Sequence, residues 1–399
     1  MDKIDFLLTR GVHCIYPNRE VLEKVLRSGK KLRLYQGFDP TGVQFHIGNA
    51  VGLRKLRQWQ DLGHHVIFLI GDGTGQAGDP SGKTRSREKF LTNEELRKNA
   101  KDYVMQAKRI VRFDGDNPAE ILYNSDWLNK LMLVDILNIA GHFSWQQLAE
   151  RDLYQERIKS GQELNFREAM YPLLQGYDSV AMNVDLEIGG VDQTFNMLAG
   201  RQLVAQMQKR EKFVMTVPLL TDNKGTKIGK TEGNVIGLTD PPCEFFGKIM
   251  SLGDGAIIPC LTLLTDSSEE TIKDMEKKMK SGGNPMIYKK MLAYELTKQF
   301  NDERSAKKAQ EEFETRFQKG KLQDADLTEK PIFLFDKESV LIDDLVTLGL
   351  AVSKSEARRF IEQKAVRIND ELASDPKQHI EKKPGDIFKV GRKAVRIIS

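Results

Sequence analysis

The 399-residue chain has little cysteine: Cys14, Cys243 and Cys260 lie far apart, with no Cys-x-x-Cys pair. That spacing argues against a zinc knot or a disulfide framework and favours the cytosol. Long apolar runs are also missing. The longest, Val66 to Ile70, falls far short of the roughly 20 residues that span a bilayer as a helix. The opening MDKIDFLLTR has no basic head followed by an apolar stretch, so no secretory signal is expected. No internal repeat or low-complexity tract is visible, and neither sign of charge dominates: 61 Lys and Arg stand against 57 Asp and Glu. What remains, 40% hydrophobic and 30% charged residues, is the balance of a globular protein. The length suggests two to three domains and a full-size core.

Charge is unevenly placed. Residues 351–399 hold 12 Lys and Arg against 7 Asp and Glu. Such a basic tail reads either as a nucleic-acid footprint or as a solvated surface. Ahead of it, apolar runs alternate with helical patterns: strands at Leu32–Phe38, Val66–Ile70 and Leu186–Ile188, and helices at Ala50–Leu62, Thr92–Val111, Leu131–Ala140, 162–178 and Thr194–Gln208. This alternation predicts a parallel α/β sheet. From about residue 240 the strands stop. Ser267 with Glu270, and Asn284 before Pro285, read as helix starts. A polar stretch at 319–332 reads as a linker, followed by helices at Leu341–Leu348 and after Ser353. Two strands then follow, with turn residues Asn369-Asp370 and Gly391-Arg392.

Two segments carry phosphate chemistry. LYQGFDPTGVQFHIGNA places His46, Gly48 and Asn49 at a helix mouth, where the dipole and free N–H groups favour an anion. Taken alone, the same residues could simply cap a helix. The second segment, TDNKGTKIGKTEGN, carries Lys227 and Lys230 on a glycine-rich loop that could close over a triphosphate, or could be a solvated hairpin tip. A third candidate, AGDPSGKT at Ala77–Thr84, fits a relaxed phosphate-loop pattern. Pro80 removes a donor from that cradle, Asp79 puts a carboxylate into it, and the strand before it ends too early. In YPLLQGYD, Tyr171, Leu174, Gln175 and Asp178 share one helix face. A carboxylate there is either hydrogen-bonded within a site or part of a polar stripe.

HIGN followed far downstream by KIGKT resembles the two signatures of class I aminoacyl-tRNA synthetases. With LYQGFDPTG, GDPSGK, YPLLQGYD and GGVDQ, the chain resembles the bacterial tyrosyl-tRNA synthetase family essentially end to end. Asn49 departs from the usual second histidine of the first signature, and Ile228-Gly229 from the usual centre of the second. The resemblance implies that Tyr35 and Asp178 hold the phenol of tyrosine. Asp79, Tyr171 and Gln175 would hold its ammonium and Gln193 its carboxylate, with Thr74 and Asn124 nearby. Gly37, Asp39, His46, Gly48, Asn49, Gly190, Asp192, Lys227 and Lys230 would face ATP, with His46, Asn49, Lys227 and Lys230 in the catalytic roles.

It further implies a Rossmann-like catalytic domain at 1–235 and a helical insertion at about 75–160 that makes the contact of a homodimer. An α-helical domain for the anticodon arm follows at 236–320, then a linker at 321–334 and a small α+β RNA-binding domain at 335–399. Arg358, Arg359, Lys364 and Arg367 would meet RNA phosphates. The resemblance also implies tyrosine, ATP with Mg2+ and tRNA as partners, no dedicated metal site, no membrane and a cytoplasmic location. The attacking group would be the substrate carboxylate, already ionised at neutral pH, so no activated nucleophile would be needed from the protein. The competing readings are a tryptophanyl-tRNA synthetase and an RNA-binding relative without catalysis.

Overall fold

The computed structural model describes residues 2–42, 44–79, 90–149, 152–163, 165–228, 230–231, 234–315, 327–332, 339–369, 371–391 and 393–398, at 152–153, 230–231, 234 and 327 by backbone only. They form two compact units, 1–310 and 311–399.

The first unit is built on six strands: β1 (Cys14–Tyr16), β2 (Arg33–Phe38), β3 (His65–Ile70), β4 (Glu120–Tyr123), β5 (Leu186–Gly190) and β6 (Phe213–Val217). Their order is β1-β6-β5-β2-β3-β4. All pairs are parallel except β1 with β6. Parallel strands covered by helices bury both faces, which is why VIFLI in β3 has no polar alternation and is fully enclosed. The helix Ile47–Asp61 covers the sheet with Ile47, Ala50, Val51, Leu53, Leu56 and Trp59, all buried.

The helix Asn93–Ala107 begins at the Thr92–Glu95 capping box. The stretch 162–178 is not one helix: a short turn Phe166–Ala169 ends at Met170, and a second helix runs Tyr171–Ala181 with Pro172 in its first turn. Proline lacks an amide donor and suits a first turn, so a continuous helix through residue 172 is disfavoured.

The helices Pro242–Met250, Ile257–Leu264, Glu269–Lys280 and Pro285–Phe300 belong to the same compact unit as the sheet. Three arginines tie them to it. Arg10 donates to the carbonyls of Leu261, Thr262, Thr265 and Ser267. Arg54 donates to Gln299 and pairs with Asp266, and Arg109 donates to the Phe300 carbonyl. The cap of Glu269–Lys280 is Ser268, one residue beyond Ser267, whose own carbonyl serves Arg10. Asn284 and Pro285 open their helix as the spacing predicts.

In the first unit, Lys230–Thr231 (β7) pairs with Asn234–Val235 (β8). The second unit holds a five-stranded sheet: β9 (Leu327–Pro331), β10 (Val366–Ile368), β11 (Glu371–Leu372), β12 (Ile387–Val390) and β13 (Lys393–Ile398). Residues 327–331, read as linker, form β9, an edge strand parallel to β13. Its Pro331 stands opposite Ile398 at the end of this edge strand, a position where sheets tolerate proline. The helix Lys354–Glu362 is capped by Ser353 and buries Ala357 and Ile361.

A candidate active site at the carboxyl ends of the parallel strands

β2 and β5 are neighbours although some 150 residues separate them, and the sheet reverses its winding between them. Open α/β sheets bind ligands in the crevice outside such a point. Here β2 runs out through Gln36, Gly37 and Phe38 into Asp39, and β5 ends in Gly189-Gly190. A cavity of about 380 Å3 opens between them, a usual size for a small-molecule site.

One end is lined by Tyr35, Thr74, Asn124, Tyr171, Gln175 and Asp178. Asp178 is fully buried yet satisfied: Trp127 Nε1 donates to its Oδ1 at 2.8 Å and Asn124 Nδ2 to its Oδ2 at 3.0 Å. Burial pushes the Asp178 carboxyl well above the usual range, and the two N–H donors oppose that shift. Tyr171 donates to Asp39 at 2.9 Å, and Thr74 donates to the other oxygen of Asp39 at 2.8 Å. Burial, with Asp39 and Asp79 beside it, holds the Tyr171 phenol well above its ordinary pKa. The same causes, with Glu187 and Asp178 as the charges, act on Tyr35.

Gln193 donates to Asp79 at 2.8 Å. Gln175 donates to Glu187 at 2.9 Å, while its own buried Oε1 has no partner among the described residues. Such an acceptor calls for a donor from a ligand. Leu174, placed on the same helix face by its spacing, does not line the cavity.

The other end is lined by Gly37, Asp39, His46, Gly48, Asn49, Gly190, Asp192 and Lys227. His46 is the N-cap of the helix Ile47–Asp61. Its Nδ1 accepts from Gly48 N at 3.1 Å, and its backbone N–H donates to Asn49 Oδ1 at 3.0 Å. The neutral ring therefore carries its proton on Nε2. A Cβ at Gly48 would stand 2.9 Å from the imidazole, so glycine here makes room for the ring as well as for a ligand.

The lysine segment is tethered to the same helix mouth. Gly237 pairs with His46, and Ile47 N donates to the Ile236 carbonyl at 3.0 Å. Thr221 to Ile228 form a turn closed by Ile228 N donating to Leu220 O at 2.8 Å, and its exposed Lys227 lines the cavity. Lys230 is in β7; its side chain lies outside the described residues, as do Pro80 to Thr84 of the phosphate-loop-like stretch. A short helix, Thr74–Ala77, stands between β3 and that stretch, which is not the strand-to-loop passage a phosphate loop needs.

Sequence reasoning overlooked Gln36, Trp127, Ser179, Glu187 and Lys212 around this cavity. The available signal was Glu187, a charge inside the otherwise apolar β5 run.

A family model described as tRNA synthetases class I (W and Y) matches residues 27–318, and an S4 domain model matches 341–388. The chain is 40% identical to a tyrosine–tRNA ligase of Thermotoga maritima, over 98% of this chain and 96% of that one. It is 41% identical to one of Colwellia psychrerythraea, over 98% and 97%. Among solved structures it resembles a C-terminally truncated Aspergillus nidulans mitochondrial tyrosyl-tRNA synthetase. The TM-score is 0.66 and identity 23%, covering 79% of this chain and 94% of that one. It also resembles an Archaeoglobus fulgidus tyrosyl-tRNA synthetase complexed with L-tyrosine, at TM-score 0.61 and 20% identity, covering 78% and 100%. With a cavity between the reversing strands, a helix mouth and lysine turn meeting at it, and relatives alike over nearly their whole length, the chain belongs to the class I tRNA synthetases, among the tyrosine–tRNA ligases.

Proposed function

We propose that the cavity joins L-tyrosine to ATP, giving tyrosyl-adenylate and pyrophosphate, and that the tyrosyl group then passes to the terminal ribose of tRNA with release of AMP. The observation that carries this is a buried Asp178 facing the same space as Tyr35, with Gln175 nearby offering an acceptor that has no partner among the described residues. Asp178 and Tyr35 take the phenol. Gln175 Oε1, Asp79 and Tyr171 take the ammonium, and Gln193, held by Asp79, takes the carboxylate. An amino acid without the hydroxyl leaves buried polar groups unpaired, which is costly.

The substrate carboxylate attacks the α-phosphorus of ATP, which enters as its Mg2+ complex, and the bond to pyrophosphate breaks. The protein supplies position and charge. His46 Nε2–H donates to a phosphate oxygen, Asn49 fixes the helix mouth, and Lys227 and Lys230 neutralise the departing pyrophosphate. Gly37, Asp39, Gly48, Gly190 and Asp192 receive the nucleoside, with Asp192 accepting from the ribose. In the second step a ribose hydroxyl attacks the tyrosyl carbonyl.

The second unit is the RNA-binding part. Arg358, Arg359, Lys364 and Arg367 are all exposed, although Arg359 also reaches Glu356 at 3.5 Å. The helical stretch from 236 to 320 meets the anticodon arm. A second copy of the chain covers the helix Leu133–Ala140, because Met132, Leu133, Val134 and Leu137 are 57–71% exposed while Ile139 alone in that helix is buried. We place the enzyme in the cytoplasm on its cysteine usage; no single helix among the described residues is long and apolar enough to cross a membrane.

The test is amino-acid-dependent exchange of pyrophosphate into ATP. Tyrosine should support it, and tryptophan and phenylalanine should support little. Equal exchange with tryptophan would favour the sister specificity, and no exchange with any of the three would favour an RNA-binding relative without catalysis.

A further inference from the structure

Directly beneath the phenol end of the cavity lies a polar cluster that contacts with tyrosine and ATP do not account for. Lys212, just ahead of β6, is wholly buried. Its ammonium donates to Ser179 Oγ at 2.6 Å and to the Met197 carbonyl at 3.4 Å, and it pairs with the Glu187 carboxylate. Glu187 accepts from Gln175 through its other oxygen at 2.9 Å. Ser179 Oγ lies 2.9 Å from the Tyr35 hydroxyl and 3.4 Å from Glu187. Gly200 keeps the space open, since a Cβ there would stand 2.7 Å from Lys212 Nζ and 2.9 Å from Ser179 Oγ.

Enclosing an ammonium and a carboxylate is costly, and apolar residues of similar size would often serve stability as well. The hydrogen count suggests what the pair does. An ammonium can only donate, so Ser179 must accept from Lys212, and it keeps one proton to give away. Tyr35 is the nearer acceptor. Glu187 also reaches the Tyr35 hydroxyl, but its two oxygens already serve Lys212 and Gln175; once Tyr35 accepts from Ser179, its own proton is left for the cavity. An ionised Asp178 can only accept. A bound phenol would therefore donate to Asp178 and accept from Tyr35, and its one hydroxyl satisfies both.

We propose that Lys212 is a positioning residue that sets amino-acid specificity: through Ser179 it aims the Tyr35 proton at the substrate phenol, and through Glu187 it holds Gln175 against the substrate ammonium. The inference rests on the reading of Tyr35 and Asp178 as the partners of the phenol.

The test uses full-length enzyme and pyrophosphate exchange with tyrosine, phenylalanine and varied ATP. Tyr35→Phe checks the underlying reading: it should lower kcat/KM for tyrosine and leave that for phenylalanine, and an unchanged ratio would overturn that reading on its own. Lys212→Met should then lower the tyrosine-to-phenylalanine ratio tenfold or more through the KM for tyrosine, with the KM for ATP unchanged. An equal fall for both amino acids would mean a merely structural lysine and would overturn the proposal. Ser179→Ala keeps the Lys212–Glu187 pair and serves if Lys212→Met does not fold. It should lower the same ratio in the parent and have no further effect in a Tyr35→Phe background. Additive effects of Ser179→Ala and Tyr35→Phe would contradict the relay.

Discussion

Single side chains in the cavity differ in how much of their hydrogen-bonding capacity the fold already uses. Asp178 has a donor on each oxygen and still faces the cavity. Asp178→Asn puts an amide donor where an acceptor is needed. Because hydrogen bonds to charged groups are worth ~1.5–3 kcal/mol, kcat/KM for tyrosine should fall at least about tenfold, while the KM for ATP should stay within about twofold. Steady-state exchange kinetics measure both, and an unaltered tyrosine KM would remove Asp178 from the pocket. Gly48→Ala crowds the His46 ring, 2.9 Å from the added methyl. It should slow adenylate formation with little change in melting temperature; equal loss of both would mean that glycine serves the helix alone.

The motif residues were legible because their types are odd for their places: an acid and an amide on an otherwise apolar helix face, or a glycine-lysine turn without apolar period. Lys212 was not legible. A lysine at the start of a strand looks like solvent-facing charge, and only the fold brings it beneath a helix that begins 41 residues earlier.

Helices and strands were legible where local signals act alone. The helix after Thr92 and the helix after Asn284 start where their caps predict, and Thr194–Gln208 matches residue for residue. The failures have a physical pattern. Met170 breaks a helix ahead of a proline, and β9 exists only because β13 offers it an edge, information that a polar segment does not carry.

One element carries an unusual group: Lys55, mid-helix, is buried and donates to the Leu7 and Arg10 carbonyls at 2.9 and 2.6 Å. Burial, reinforced by Arg54 and Arg10, brings its pKa down to about 7. Between that value and the ordinary lysine range near ~10.4, the unfolded chain binds the proton and the folded chain does not. Stability therefore rises with pH across that window, and the penalty is full below pH 7. This amounts to on the order of 1.4 kcal/mol per pH unit at most. Lys55→Met removes the group. Denaturation of parent and variant at several pH values from 7 to 10 should show the parent gaining relative to the variant; parallel curves would contradict the assignment.

At the scale of the whole molecule, the proposed function divides the work between the two units: adenylate formation would need only the first, and RNA phosphates would meet the second. Removing residues 335–399 should therefore leave tyrosine-dependent pyrophosphate exchange within about twofold and strongly impair tRNA charging. A folded truncation that loses both would refute this division. Leu133→Glu with Leu137→Glu places charge on two exposed apolar side chains. On the proposed pairing, sedimentation should show two copies together in the parent and single chains in the variant; single chains in the parent would rule the proposed homodimer out.

The proposed chemistry needs a helix mouth and a lysine turn, 181 residues apart from His46 to Lys227, to act on one nucleotide. The most direct measurement is the single-turnover rate of tyrosyl-adenylate formation in His46→Ala and Lys227→Ala, with tyrosine affinity measured alongside. Each should slow the rate by about 100- to 1,000-fold, the scale of losing one transition-state donor, with tyrosine affinity within about twofold. Parent-like rates in both variants would contradict the account.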